Sequence, residues 1–116
     1  MVDKNEIEKV LGNLMDTIPE IEGLICAENG KVVIGQTLTD LDLEKISESC
    51  IKILENGGTL SETIEKGGVK EINVRFDEGY AVIVGSPKLL FIALTGNDAA
   101  PSLGLIQRNL RLALPK

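Results

Sequence analysis

The chain has 116 residues, 43% of them apolar and 26% charged, with a formal net charge of -6. That fits one globular domain over residues 1–116, long enough for a real core and too short for two. The acidic balance and the scarcity of rings (Phe76, Tyr80 and Phe91 only) argue against a nucleic-acid partner, which needs clustered cations and stacking surface.

Histidine is absent, which removes the commonest general base and the commonest metal ligand. Two cysteines alone do not close a zinc site, so no metal and no cofactor is expected. The charged start Asp3-Lys4-Asn5-Glu6 has no apolar signal core behind it, and the longest apolar run, Leu89 to Leu94, is too short for a bilayer. The expectation is a cytoplasmic protein without membrane insertion. Cys26 and Cys50 are then expected as buried, reduced thiols, with a disulfide between them as the alternative.

In chain order, Asp3 has the chemistry of a helix cap, and Ile7, Val10, Leu11, Leu14 and Ile18 follow as an apolar stripe that Pro19 closes. Gly23 to Glu28 and Lys31 to Gln36 flank Asn29-Gly30, the strongest short signal for a hairpin, because both central residues need positive φ. The first of these strands is apolar on both faces, which predicts layers on both sides of its sheet.

Asp42 to Asn56 predicts a long helix ended by Gly57-Gly58. Its residues Leu43, Ile46, Cys50, Ile51, Ile53 and Leu54 spread over an arc of roughly 160° at 100° per residue. A helix lying on one sheet needs a stripe of only about 100°. The excess implies a second contact surface or, alternatively, a helix sunk deep in its own domain. Thr59 to Lys66 reads as a short exposed helix or as a loop.

Val69 to Phe76 alternates, with Ile72, Val74 and Phe76 on one side and Glu71, Asn73 and Arg75 on the other. This half-polar strand is the best candidate for a sheet edge, where pairing with another chain is possible. Tyr80 to Gly85 and Lys88 to Thr95 complete a meander, the latter reading as the most buried strand. After a loop at 96–101, Ser102 is expected to cap a last helix through Leu114. Leu103, Ile106, Leu110, Ala113 and Leu114 would form its main stripe, with Leu105 and Leu112 on a second line toward the first helix. The fold class is α+β: a three-layer α/β/α arrangement around a five-stranded antiparallel sheet, in the order α-β-β-α-β-β-β-α.

No catalytic constellation emerges. Gly30-Lys31 lacks the leading glycine and the Ser or Thr of a phosphate loop, and Asp40 to Glu44 has Lys45 where a calcium loop needs glycine. The acid pairs Glu20/Glu22 and Asp77/Glu78 sit at turns, where solvated carboxylates are common. Arg75, Arg108 and Arg111 are explained by salt bridges more simply than by action on a nucleotide. The chain is therefore expected not to be an enzyme.

The run Ile18-Pro19-Glu20-Ile21-Glu22-Gly23 leading into a strand that turns at Asn29-Gly30 resembles the opening of the roadblock light-chain family. The likeness continues through the long helix, the meander and the final helix, and it is to the small prokaryotic members and a roadblock/profilin-like fold. The resemblance implies a homodimer in which the long helix packs antiparallel on its copy and the edge strand pairs with its copy. Carried over, it places Ile46, Cys50 and Ile53 at the helix contact and Ile72, Asn73, Val74 and Arg75 along the strand seam. It also implies a small Ras-like GTPase as partner, with Glu44, Lys45, Glu48, Lys52 and Glu55 as contacts. The leading expectation is a non-enzymatic homodimeric scaffold or regulator of such a GTPase. The alternatives are a structural light chain or scaffold subunit pairing with a roadblock-like or peptide partner, and a small-molecule sensor. For the sensor, no convergent polar residues are seen within the apolar strands.

Overall fold

The computed structural model describes residues 3–114. Helix α1 (Lys4–Thr17) begins where Asp3 accepts hydrogen bonds from the Asn5 and Glu6 amides, at 3.0 and 3.4 Å. It stops at Ile18, which Pro19 holds in the extended region, φ -118° and ψ 91°. Strands β1 (Ile21–Glu28) and β2 (Lys31–Thr37) follow, joined by the expected tight turn with Asn29 at φ 51° and Gly30 at φ 84°. Then come helix α2 (Leu43–Thr63) and strands β3 (Glu71–Phe76), β4 (Gly79–Ser86) and β5 (Leu89–Gly96). A 3₁₀ turn, η1 (Asn97–Ser102), leads into helix α3 (Leu103–Ala113).

The five strands form one antiparallel sheet in the order β2-β1-β5-β4-β3. β5 lies at its centre, in accord with its apolar run, and β3 is an edge, as its half-polar pattern predicts. Helices α1 and α3 cover one face over Leu24, Cys26, Val82, Val84, Phe91 and Ala93. Helix α2 covers the other over Ile25, Ala27, Ile83, Leu90 and Ile92. The three-layer α+β reading therefore holds. Ile106 and Leu110 anchor α3 and are fully buried, each contributing about 1.5–3 kcal/mol of apolar burial.

Three local expectations are corrected. First, α2 runs through Gly57-Gly58 to Thr63, because neither glycine takes positive φ. Gly57 instead provides room: a Cβ there would lie 3.1 Å from Ile72 Cδ1 and 3.2 Å from Val69 Cγ2. The helix ends at Glu65, φ 56°, in a Schellman arrangement. The Lys66 amide donates to the Ser61 carbonyl at 3.0 Å and the Glu65 amide to the Glu62 carbonyl at 3.2 Å. Second, Ser102 makes no side-chain cap bond, because the 3₁₀ turn before α3 already holds it at φ -100°, ψ -3°, outside the extended geometry of a cap. Third, Leu105 lies in a shallow groove with Val10 and Leu14 of α1, but Leu112 is 70% exposed and does not reach that helix.

The course of α2 sets two stability predictions. Gly58 has open space around its Cα, so Gly58→Ala should raise unfolding stability by about 1 kcal/mol in urea titration. If the helix broke at the glycine pair, the same change would bring no gain. Glu65→Gly should also stabilise, by about 1 kcal/mol, since it relieves a left-handed backbone at a residue with a Cβ.

Candidate interaction surface

Helix α2 crosses its face from one sheet edge to the other. Leu43 rests on Gly35 and Ile51 near Gly30 of the β2 hairpin, while Gly57 meets Ile72 of β3. At 100° per residue, Leu43, Ser47, Cys50, Ile51, Leu54 and Ser61 turn toward the sheet. Ile46, Ile53, Leu60 and Ile64 form a second stripe roughly 90° around the helix, with Cys50 and Gly57 between the two. Leu60 and Ile64 are 61% and 51% exposed.

Beside this second stripe the sheet is only partly covered, with Phe76 exposed, Val74 and Leu94 half-buried, and Ala81 and Ile83 buried. Ile46, Cys50 and Ile53 of α2 form one wall of a groove of about 410 Å³. Val74 and Phe76 of β3, Ala81 and Ile83 of β4, and Leu94 of β5 form the floor. The register explains this floor, because Val74 pairs with Ala81 and Ala81 with Leu94, so their side chains stand in one row. Phe76, at the open end, is 55% exposed. The polar rim is Asp42, Lys45 and Ser49.

The four groove residues Ile46, Cys50, Ile53 and Val74 thus come together, and Ile72 sits one step along β3 against Gly57. Asn73 and Arg75 are exposed on the opposite face of the same strand. On that face Glu71 Oε1 lies 3.5 Å from Arg111 Nη1 of α3. β3 pairs only with β4 among the described residues, so its outer backbone edge is bare. Phe76 was already in the alternating pattern, but Leu60 and Ile64 were missed because the helix was expected to end before them. Their signal was the spacing 46-53-60 and 50-57-64, which runs straight through the glycine pair.

The charged residues divide. Lys45 sits on the groove rim, and Glu48, Lys52 and Glu55 are exposed on the side of α2 away from the sheet. Glu44 is engaged within the chain. Its Oε1 accepts a hydrogen bond from the Val32 amide at 3.3 Å. In a two-residue hairpin Glu28 and Lys31 form the hydrogen-bonded pair, so Val32 turns its N–H away from β1, and Glu44 closes that position on the β2 edge.

Cys26 and Cys50 lie in the cores on opposite faces of the sheet, so the intervening strand layer precludes a disulfide between them. Burial pushes both thiols up to about 11, and Glu28 adds to the effect at Cys26. Among the described residues no three His, Cys, Asp or Glu side chains gather as a metal site, and no helix is long and apolar enough to cross a membrane.

Two helices on one face, one crossing helix on the other and a meander ending at a bare edge define the roadblock/LC7 fold. No protein-family model and no curated protein matches the sequence. Solved structures do match in shape. Myxococcus xanthus MglB aligns with a TM-score of 0.81 at 13% identity, over 97% of this chain and 86% of that one. A Roadblock/LC7 domain from Streptomyces avermitilis aligns at 0.76 and 14% identity, over 90% and 88%. The gliding protein MglB of Thermus thermophilus aligns at 0.73 and 11% identity, over 97% and 96%. At such identities the shared property is the fold.

The raised thiols predict a pH dependence with a definite sign. The unfolded chain releases thiol protons near pH 9 and the folded one near 11, so this contribution is complete below about 9 and is lost as pH rises toward 11. Stability measured by urea titration should fall across that window. The Cys26→Ala/Cys50→Ala protein should show a shallower fall.

Proposed function

We propose that the chain is a non-catalytic, single-domain scaffold that works as a homodimer and regulates a small Ras-like GTPase. The observation that carries this reading is the apolar groove beside α2, which is continuous with a bare β3 edge. A second copy brought by a two-fold axis covers both at once, helix on helix and strand on strand. Ile46, Cys50 and Ile53 then meet the facing α2, and Ile72, Asn73, Val74 and Arg75 form the seam. Leu60 and Ile64 extend the helix contact, with Ile46 opposite Leu60 of the copy when Ile53 lies on the axis. Self-association has a parallel in this fold, since one MglB structure has a tetrameric arrangement.

The GTPase part of the reading rests on the roadblock resemblance and on charge. Lys45, Glu48, Lys52 and Glu55 stay accessible on the paired helices, while Glu44 contributes from its place beside β2. A surface of this kind acts by positioning switch segments of a bound GTPase, without supplying a nucleophile or base. In this reading the protein works in the cytoplasm, where its two thiols stay reduced. The bare β3 edge favours a second reading, in which a related subunit or an extended peptide adds as a strand.

Sedimentation equilibrium should give a dimer, and Ile53→Glu should weaken it at least about a hundredfold by placing a charge in the apolar contact. A wild-type chain that stays monomeric at high concentration overturns the homodimer. Pull-down with the host's small GTPases, in both nucleotide states, should retain one of them, and charge reversal at Glu48 and Lys52 should reduce the retention about tenfold or more. No retention above background removes the GTPase. A partner that binds equally well after the reversal points to strand addition instead.

A further inference from the structure

Resting on the homodimer reading above, we propose that Glu71 and Arg75 fix the register of β3 against its copy. The outer edge of β3 carries only backbone, so main-chain hydrogen bonding alone would accept several registers. The side chains decide among them. A two-fold axis perpendicular to the sheet keeps each strand face on its own side, so facing residues always share parity.

On the α1/α3 face β3 presents Glu71, Asn73 and Arg75, an acid and a base four residues apart with an amide midway. With Asn73 on the axis, Glu71 faces Arg75 of the second copy and Arg75 faces its Glu71. The two asparagines meet at the centre. On the groove face the same register sets Ile72 against Val74, so the apolar row runs across the seam. With Ile72 on the axis, Glu71 faces Asn73 and neither charge is paired. With Val74 on the axis, Glu71 faces Asp77, a like-charge contact. One register alone satisfies both charges.

Three observations in the single chain support this register. Arg75 is exposed and has no ion-pair partner among the described residues. Glu71 is weakly satisfied: Oε1 has only the 3.5 Å contact to Arg111, and Oε2 is buried without a hydrogen-bond partner. A second guanidinium beside this carboxylate strengthens its field of positive charge. The helix layer also agrees, because Ile53 shares a groove with Val74 and the next helical turn, at Gly57, sits on Ile72. An axis through Asn73 therefore falls between these two helical positions, within about one turn of Ile53.

The test uses two single charge reversals and their mixture. Glu71→Arg and Arg75→Glu each turn two attractive contacts into two repulsive ones, so each should raise the dimer Kd about tenfold or more. Mixed in equal amounts, the two variants should pair with each other in preference to themselves, since every Arg then faces a Glu. Native mass spectrometry reads the three dimer populations directly. Arg111→Gln, which touches Glu71 only within the chain, should leave the dimer Kd within about twofold. Far-UV circular dichroism checks that each variant is folded. Should Glu71→Arg not fold beside Arg111, Glu71→Gln takes its place, and its mixture with Arg75→Glu should still favour the mixed dimer. Single variants that dimerise as tightly as wild type, or a mixture in 1:2:1 proportion, overturn the charge register and leave the homodimer standing. A monomeric wild type overturns the homodimer reading itself.

Discussion

The shape of this protein follows from a mismatch of widths. Five strands about 4.8 Å apart make a sheet wider than one helix of about 10 Å can cover. On one face two helices share the work, and Leu24, Phe91, Ile106 and Leu110 are fully buried between them and the sheet. On the other face a single helix crosses from edge to edge. Its start on Gly35 and its later contact of Gly57 with Ile72 leave Val74 and Phe76 of β3 only partly covered. The groove is what remains when one cylinder lies diagonally on a sheet.

That geometry separates two demands on α2 that a residue count would merge. Cys50 and Leu54 are buried against the strands, while Ile53, Leu60 and Ile64 turn a quarter of the way around the helix. The exposed acids and lysines occupy much of the remainder. One helix therefore carries a core stripe, an apolar stripe beside the groove and a charged face. In the proposed reading, a substitution on α2 reaches stability, association or partner recognition according to its angle, and the three effects are separable by position.

Much of this was legible in the residues alone. Asn29-Gly30 identified its hairpin because few other residues tolerate two successive positive φ angles. The half-polar alternation from Glu71 to Phe76 marked an edge, and the excess apolar arc on α2 anticipated a surface beyond its own sheet. The failures share a cause. Gly57-Gly58 is a stop signal only when a glycine turns left-handed, and tertiary contacts with Val69 and Ile72 decided otherwise. Ser102 lost its capping role to the turn preceding it, and Glu44, expected among the outward contacts, is bonded to the β2 edge instead. Local chemistry was readable, but the proximity of distant segments was not.

The two edges of the sheet are not equivalent, and this bears on how far assembly can go. β2 has a bulge against β1, a neighbouring helix and a carboxylate seated on its outward amide at Val32. β3 keeps a regular register with β4 and has no pairing beyond it among the described residues, although Gly57 of α2 packs on its face at Ile72. A sheet with two open edges is a monomer for a fibre, since each addition regenerates an acceptor. With one guarded edge and one open one, a two-fold contact consumes the acceptor on both chains at once, and growth through the sheet terminates after a single step.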